Sequence, residues 1–557
     1  MNKKPKENIW CADFETNNYE DDCRIWSWGA RNVYTEEYVC GTDMAAFIKW
    51  LFHKRRIVYF HNLKFDGSFI IDYLLKKGFT TQLGKKMGPK QIRPMISEQG
   101  QWYKIDIKGV KVSVTIKDSF KVIASSLESI AKSLKLDVQK GSIDYEMYRP
   151  VGYQPTEEEA RYQWEDCYIA ACALKPLLDK GMTKLTAGSN ALAYYKEKQF
   201  GNENKFREKF PILTKEEDEW LRKSYRGGIT MVKKGEECKE QGEGIVLDIN
   251  SMYPWAMHSP NPYPVGRPMW GTGEPPEDKL YIVHVWVLAT KKPDKPPTIQ
   301  LKKSRFDVGA EYADEIPGFD LYLAKPDLHM LLEMYDIEDI MYYEYCYFNQ
   351  EVGLFDSYID EFYALKASSK AEGNHTETMR AKLYLNSLYG KFATRIEGRS
   401  KIPELCEDGV VRYKAGELEE REGVYLPVGI FVTAYAREKL LTSIADVWPR
   451  FLYCDTDSIH LKGHEPPDNL EIHPYKLGAW KEEMKFSKAK YLRAKLYMEQ
   501  DADTGELVVV GAGMGKDVKA QATFENFNLG HEYSGNLKAK VVPGGTVLLR
   551  SDFKVRR

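Results

Sequence analysis

Over roughly the first 185 residues, short apolar runs alternate with helix-like segments. IWCADFE, RIVYFHN and VSVTIKD have the length and the aromatic or β-branched content of strands, whereas AAFIKWLFH and SFIIDYLLKKG repeat their apolar positions at three and four residues. The alternation predicts an α/β domain spanning 1–185. Its last helix has a marked start: Thr156 and Glu159 form a T-x-x-E capping box after Pro155, and EEEARYQWEDCYIAACALKPLL follows with helical periodicity. A Gly-containing segment near TKLTAGSN marks a boundary, and 186–557 carries a different set of motifs. Pro and Gly cluster at 261–276 and 293–297, which sets off a region of about 260–356 as an inserted subdomain. A polar stretch at about 394–426 reads as a second insertion.

Composition narrows the class. A chain of 557 residues exceeds what one hydrophobic core usually organises, so at least two domains are expected. No apolar run is long enough to span a membrane, and the Lys-containing N-terminus leads into no signal-peptide-like stretch. The nine cysteines are scattered without a C-x-x-C pair, the usage of reduced thiols in a cytoplasm rather than of disulfides or zinc. Lys and Arg number 80 against 82 Asp and Glu, so any basic surface for nucleic acid must be local.

The carboxylates carry the chemistry. A strand period of two puts Asp13 and Glu15 on one face near a strand end. Alone, such a pair also fits an exposed strand edge. HNLKFDG adds Asn62 and Asp66, and the last helix of the first domain places Tyr162 and Asp166 on one face at i and i+4. Asp13, Glu15, Asp66 and Asp166 would suffice to hold two divalent ions for phosphodiester hydrolysis, with Tyr162 orienting the attacking water.

A second acidic set lies downstream. GIVLDINSMYP delivers Asp248 from a strand, and RFLYCDTDSIHL puts Asp455 and Asp457 at the turn of a hairpin. Between them the helix RAKLYLNSLYGKF lines up Lys382, Asn386 and Tyr389 at i, i+4 and i+7. That face offers a cation for a triphosphate and a ring for a base. An amphipathic helix with a solvated lysine is the plainer alternative.

D-x-E, N-x-x-x-D and Y-x-x-x-D in this order resemble the three exonuclease motifs of proofreading polymerases. D-x-x-S-M-Y-P, K-x-x-x-N-S-L-Y-G and Y-C-D-T-D-S resemble the family B polymerase motifs, with Met252 in place of the usual Leu. HNLKFDG and KGSIDY are similar to the protein-primed, phi-29 phage type, a likeness that runs along nearly the whole chain. The resemblance implies α/β and α+β domains: an RNase H-like 3′→5′ exonuclease domain, then a right-hand polymerase domain of palm, fingers and a thumb at about 525–557. By it, Lys140 assists catalysis, and Thr16, Asn62, Phe65, Ser119, Phe120 and Tyr145 hold a single-stranded 3′ end, Phe120 standing where the family pattern has Leu. Asp248 and Asp457 would bind metal with Asp455 close by. Tyr253 would exclude a ribose 2′-hydroxyl, and Lys366, Lys382 and Tyr389 would bind dNTP. Tyr225, Arg226, Gly227 and Gly228 (YRGG), Thr433 and Arg437 (TAYAR), and Lys495 and Tyr497 (KLY) would contact primer-template DNA.

The resemblance further implies Mg²⁺, two ions per active site with Mn²⁺ able to substitute, and a monomer working on primer-template and single-stranded DNA with dNTPs and a priming terminal protein. The insertions match in position two subdomains, one that contacts the priming protein and one that confers processivity and strand displacement. Independently of any family, KEEMKFSKAKYLRAKLY mixes Lys481, Lys485, Lys488, Lys490, Arg493 and Lys495 with aromatic rings, as a nucleic-acid surface or a solvated helix would. The competing readings are an exonuclease with an inactive polymerase-like module, a single-strand-binding scaffold and a reverse transcriptase.

Overall fold

The computed structural model describes residues 8–82, 84, 86–301 and 311–556. The strand Ile9–Thr16 lies third in an eight-stranded mixed sheet, antiparallel to Ile25–Asn32 and parallel to Ile57–Phe60. Both of its faces are covered. Trp10, Ala12 and Phe14 enter one core with Phe47, Val58 and Phe60, whereas Cys11 packs into another with Ile169 and Ala170. Alternation therefore turns Asp13 and Glu15 toward the helix Glu157–Asp179. That helix begins at the capping box read from sequence, with the reciprocal Thr156 and Glu159 bonds in place.

A second sheet is built from antiparallel strands in the order Leu507–Gly511, Leu496–Asp501, Trp480–Arg493, Gly244–Ile249, Ser458–Lys462, Phe451–Asp455 and Thr230–Val232. The helix Leu426–Asp446, apolar nearly all round, fills the core behind it. Two local expectations are corrected. The Lys-rich 480–493 segment is a strand, its Lys/Glu helix propensity overridden by pairing with Gly244–Ile249. RAKLYLNSLYGKF is two helices, His375–Ser387 and Tyr389–Phe392, so Tyr389 opens the second.

Residues 262–352 form a four-stranded antiparallel sheet with the helix Lys325–Met334 and a small core of their own around Tyr281, Val283, Val285 and Leu331. The helices Asp356–Ala371 and His375–Ser387 run as an antiparallel pair. Two hairpins project further, Glu397–Leu405 with Val411–Glu420, and Glu532–Val542 with Gly545–Lys554. The tip of the last one inserts into the first domain. Val542 and Val547 join the core of Phe14 and Phe69, the Asn18 side chain pairs with both backbone groups of Leu548, and the Gly544 N–H donates to Asp72 at 3.1 Å.

Candidate active sites

The first sheet and its covering helix bring Asp13, Glu15 and Asp166 together, with one carboxylate oxygen of each within 4.8 Å of the others. Asp66 lies buried in the first turn of the helix Leu63–Lys76, where the helix N-terminus favours negative charge, and it interacts with Asp13. Burial and mutual repulsion push Asp13 up to about 7 and raise Glu15 and Asp66 well above the carboxylate range. One cation offsets them: Lys140 Nζ donates to Asp166 Oδ2 at 2.5 Å and lies 5.1 Å from the Tyr162 ring. The Tyr145 and Tyr162 hydroxyls are 2.6 Å apart.

Sequence reasoning missed what holds Lys140 and Tyr145 in place. Arg149, 2% exposed, donates to Glu159 Oε1 at 2.8 and 2.6 Å and to the carbonyls of Asp144 and Met147. It thereby ties the 140–149 loop to the start of the helix bearing Asp166. Asp118 was missed likewise: its Oδ1 accepts the N–H of Asn62 and of Phe120, both at 3.0 Å, and so fastens two predicted strand-end contacts to each other. Asn62 is exposed, Thr16, Phe65 and Phe120 are half-buried and Tyr145 is exposed, whereas Ser119 is buried and bonded to His61 and to the Phe60 carbonyl. His61 spends both ring nitrogens on Ser119 and the Ser125 carbonyl, a structural role.

In the second sheet Asp248 pairs across the ladder with Ser458, the residue after Asp457, and the Ile249 N–H donates to the Asp457 carbonyl at 2.7 Å. Asp457 sits at the hairpin tip next to Thr456, whose φ is 65°. Burial and the Asp248 charge push Asp457 up to about 6. Asp248 is raised by burial, against the pull of Lys481. Asp455 is engaged differently: Lys495 Nζ reaches its two oxygens at 2.8 and 2.9 Å, and Thr230 Oγ1 donates to it at 2.9 Å. Lys495 thus pairs with this acid, and Tyr497 packs 4.9 Å from Tyr453.

Tyr253 and Tyr389 stack with ring centroids 4.0 Å apart. Lys366 Nζ donates to Ser251 Oγ at 3.2 Å, and Lys382 and Asn386 are exposed on one helix face. Gly227 and Gly228 are exposed, and a Cβ at Gly228 would meet Thr456 at 2.8 Å, so only glycine lets this loop abut the D-T-D tip. Thr433 and Arg437 do not face solvent as surface DNA contacts would. Thr433 bonds within its own helix, and Arg437, 4% exposed, grips Asp327 at 2.9 and 2.7 Å while donating to the carbonyls of Arg226 and Gly227. It therefore locks the Tyr225–Gly228 loop to the 262–352 subdomain through Asp327, a partner 110 residues away that no local motif announces.

The family described as DNA polymerase type B, organellar and viral, matches residues 51–169 and 179–473. The chain is a type B DNA polymerase. This polymerase is 39% identical to the DNA polymerase of Bacillus phage phi29 over 100% of both chains, and 33% identical to that of Streptococcus phage Cp-1 over 98% of both. Among solved structures, phi29 DNA polymerase complexed with primer-template DNA and incoming nucleotide substrates is similar with a TM-score of 0.91 and 38% identity, covering 98% of this chain and 100% of that one. The complex of that enzyme with single-stranded DNA is similar with the same TM-score, at 37% identity.

The likeness over both sheets makes the first an RNase H-like exonuclease-type domain and the rest a right-hand polymerase domain. The Asp13–Glu15–Asp166 cluster of this type B polymerase fits a divalent ion. Its donors are carboxylate oxygens, as hard cations require, and Asp166 Oδ1 is buried with no hydrogen-bond partner. No helix among the described residues is long and apolar enough to cross a membrane.

Proposed function

We propose that this polymerase extends a DNA primer at the Asp248–Asp457 site and removes mispaired 3′ ends at the Asp13–Glu15–Asp66–Asp166 site, replicating a phage-type linear genome from a terminal-protein primer with strand displacement, as a monomer in the host cytoplasm. The observation that carries the two-site reading is the presence of two acidic clusters on two different sheets, each with its own lysine on a carboxylate, Lys140 on Asp166 and Lys481 on Asp248.

At the synthesis site, bound Mg²⁺, with Mn²⁺ as a substitute, would polarise the α-phosphate and activate the primer 3′-hydroxyl; Asp248 and Asp457 would hold it. The Tyr253–Tyr389 stack presents a flat surface to the incoming base and ribose, and Tyr253 leaves no room for a 2′-hydroxyl. Lys366 and Lys382 supply positive charge for the triphosphate. The Tyr225–Gly228 loop, Lys495 and Tyr497 receive the primer-template, with Arg437 and Thr433 setting the loop and helix that do so.

At the degradative site Tyr162 and Lys140 orient the attacking water against the scissile phosphate, while Thr16, Asn62, Phe65, Phe120 and Tyr145 receive the frayed strand and Ser119 steadies that wall. Residues 262–352 serve the terminal protein, and the 397–420 and 532–554 hairpins embrace the duplex. Support for these roles comes from the relatives, whose solved forms include primer-template, nucleotide and single-stranded DNA complexes.

Primer extension and primer degradation in Mg²⁺ test the reading. Asp457→Ala is expected to abolish synthesis and spare degradation, and Asp13→Ala to do the reverse. Loss of both activities through either change in a folded protein would overturn it, and degradation without any dNTP-dependent extension by the unmodified chain would leave only a nuclease.

A further inference from the structure

The strand Trp480–Arg493 pairs with Gly244–Ile249 in a register that sets Lys481 directly opposite Asp248. Cross-strand partners share a face, and the ladder shifts register between Val246 and Leu247, which leaves Glu483 as the extra residue of a bulge beside Lys481. The Lys481 ammonium stands between two acids, 3.5 Å from Asp248 Oδ1 and 2.6 Å from Glu483 Oε2. Its Cβ is fixed there by the ladder whichever rotamer the side chain takes. Asp455 is matched by Lys495. Lys366, on the helix Asp356–Ala371, bonds Ser251 at 3.2 Å and adds its charge to Asp248 from a different element, with Lys382 on the neighbouring helix. Lys481 is the lysine set opposite Asp248 by the sheet itself. We propose that Lys481 is a resident cation of the synthesis site, which occupies Asp248 in the metal-free state and sets how much divalent ion that site requires.

The physical reason is competition for one oxygen. An ammonium 3.5 Å from a carboxylate oxygen repels a second cation arriving at that atom, so the divalent ion binds as Lys481 gives up Asp248 and keeps Glu483 alone. Without the ammonium, Asp248 and Asp457 would face the incoming ion with their full charge. Lys481 is about one-third exposed, 34% against 31% for Asp248, so the competition has the size of a partly solvated ion pair, about fivefold in affinity.

The inference rests on Asp248 being a metal ligand, and the experiment separates the two claims. In the full chain carrying Asp13→Ala and Asp166→Ala, Mn²⁺ binding is titrated by electron paramagnetic resonance without DNA or nucleotide. Lys481→Met and Lys481→Gln are expected to bind Mn²⁺ about fivefold more tightly than the parent, and Lys481→Arg to match it. The Mg²⁺ concentration for half-maximal extension should fall in the same neutral variants made with the nuclease site intact. If Asp248→Ala leaves Mn²⁺ binding unaltered, the metal-ligand reading fails. If Asp248→Ala removes binding but the neutral variants bind within twofold of the parent or more weakly, or if Lys481→Arg behaves like Lys481→Met, the resident-cation proposal fails alone. Circular dichroism of each variant confirms that the comparison is made on folded protein.

Discussion

The two acidic sites are built from the same three parts in different settings. Each has carboxylates from distant segments, lysine ammonium charge set against those carboxylates, and a buried arginine that fastens a loop to the scaffold: Arg149 on Glu159 in the first domain, Arg437 on Asp327 in the second. They differ in enclosure. Three acids of the first site converge between its sheet and the helix Glu157–Asp179, one oxygen of each within 4.8 Å of the others, whereas Asp248 of the second is 31% exposed near the end of its strand. A closed site suits a substrate that is one frayed strand. An open one suits a duplex and a nucleotide that must enter and leave at every cycle.

The largest test of that parallel removes the arginines. Leaving one member of a buried pair uncompensated costs about 3–5 kcal/mol, so Arg149→Met is expected to cripple degradation and spare extension, and Arg437→Met the opposite. Adding Asp327→Asn to Arg437→Met should restore part of the lost thermal stability. Equal damage to both activities from either single change would break the comparison. Next in size, Lys140→Met should slow single-strand degradation by about a hundredfold, the usual worth of a positioned charged group, with the extension rate unchanged in a running-start assay.

A third test uses protons. Asp13, at about 7, and Asp457, at about 6, hold protons in the folded chain that an unfolded aspartate releases near pH 4. Each group favours the metal-free fold fully below about pH 4, and that contribution is lost as pH rises through about 7 for Asp13 and about 6 for Asp457. Calorimetry should show the metal-free protein melting lower at pH 8 than at pH 5, and Mg²⁺ raising the melting temperature much more at pH 8. An equal Mg²⁺ gain at both would show that the acids are not what the ion relieves. The smallest effect is expected from Thr156→Ala, about 1 kcal/mol for a lost cap, seen as earlier melting of the first domain alone.

Much of this was legible because it is local. The i, i+4 pair Tyr162 and Asp166, the capping box and the D-T-D turn depend on spacings of a few residues, which can be read directly along the chain. Asp327 was invisible because a buried ion pair across 110 residues leaves no periodic trace. Asp455 and Lys495 each looked like a ligand-facing residue from its own motif, and only the fold shows them neutralising each other. The Lys481 placement was hidden for another reason: Lys and Glu favour helices, so composition argued against the strand whose register sets Lys481 beside Asp248. The resemblance to phi-29-type enzymes supplied roles for single residues, such as Tyr253, that no spacing encodes.

The insertion of Val542 and Val547 into the core around Phe14 and Phe69 means that the first domain lacks part of its own interior until residues more than 350 positions downstream of it have been made. During synthesis on the ribosome the first domain can form its sheet early, but the seam sealed by Asn18, Asp72 and the 542–548 turn stays open until those residues have emerged. Residues 542–547 are thus an interior part of the first domain, and a chain lacking them would keep an apolar gap beside Phe14 and Phe69.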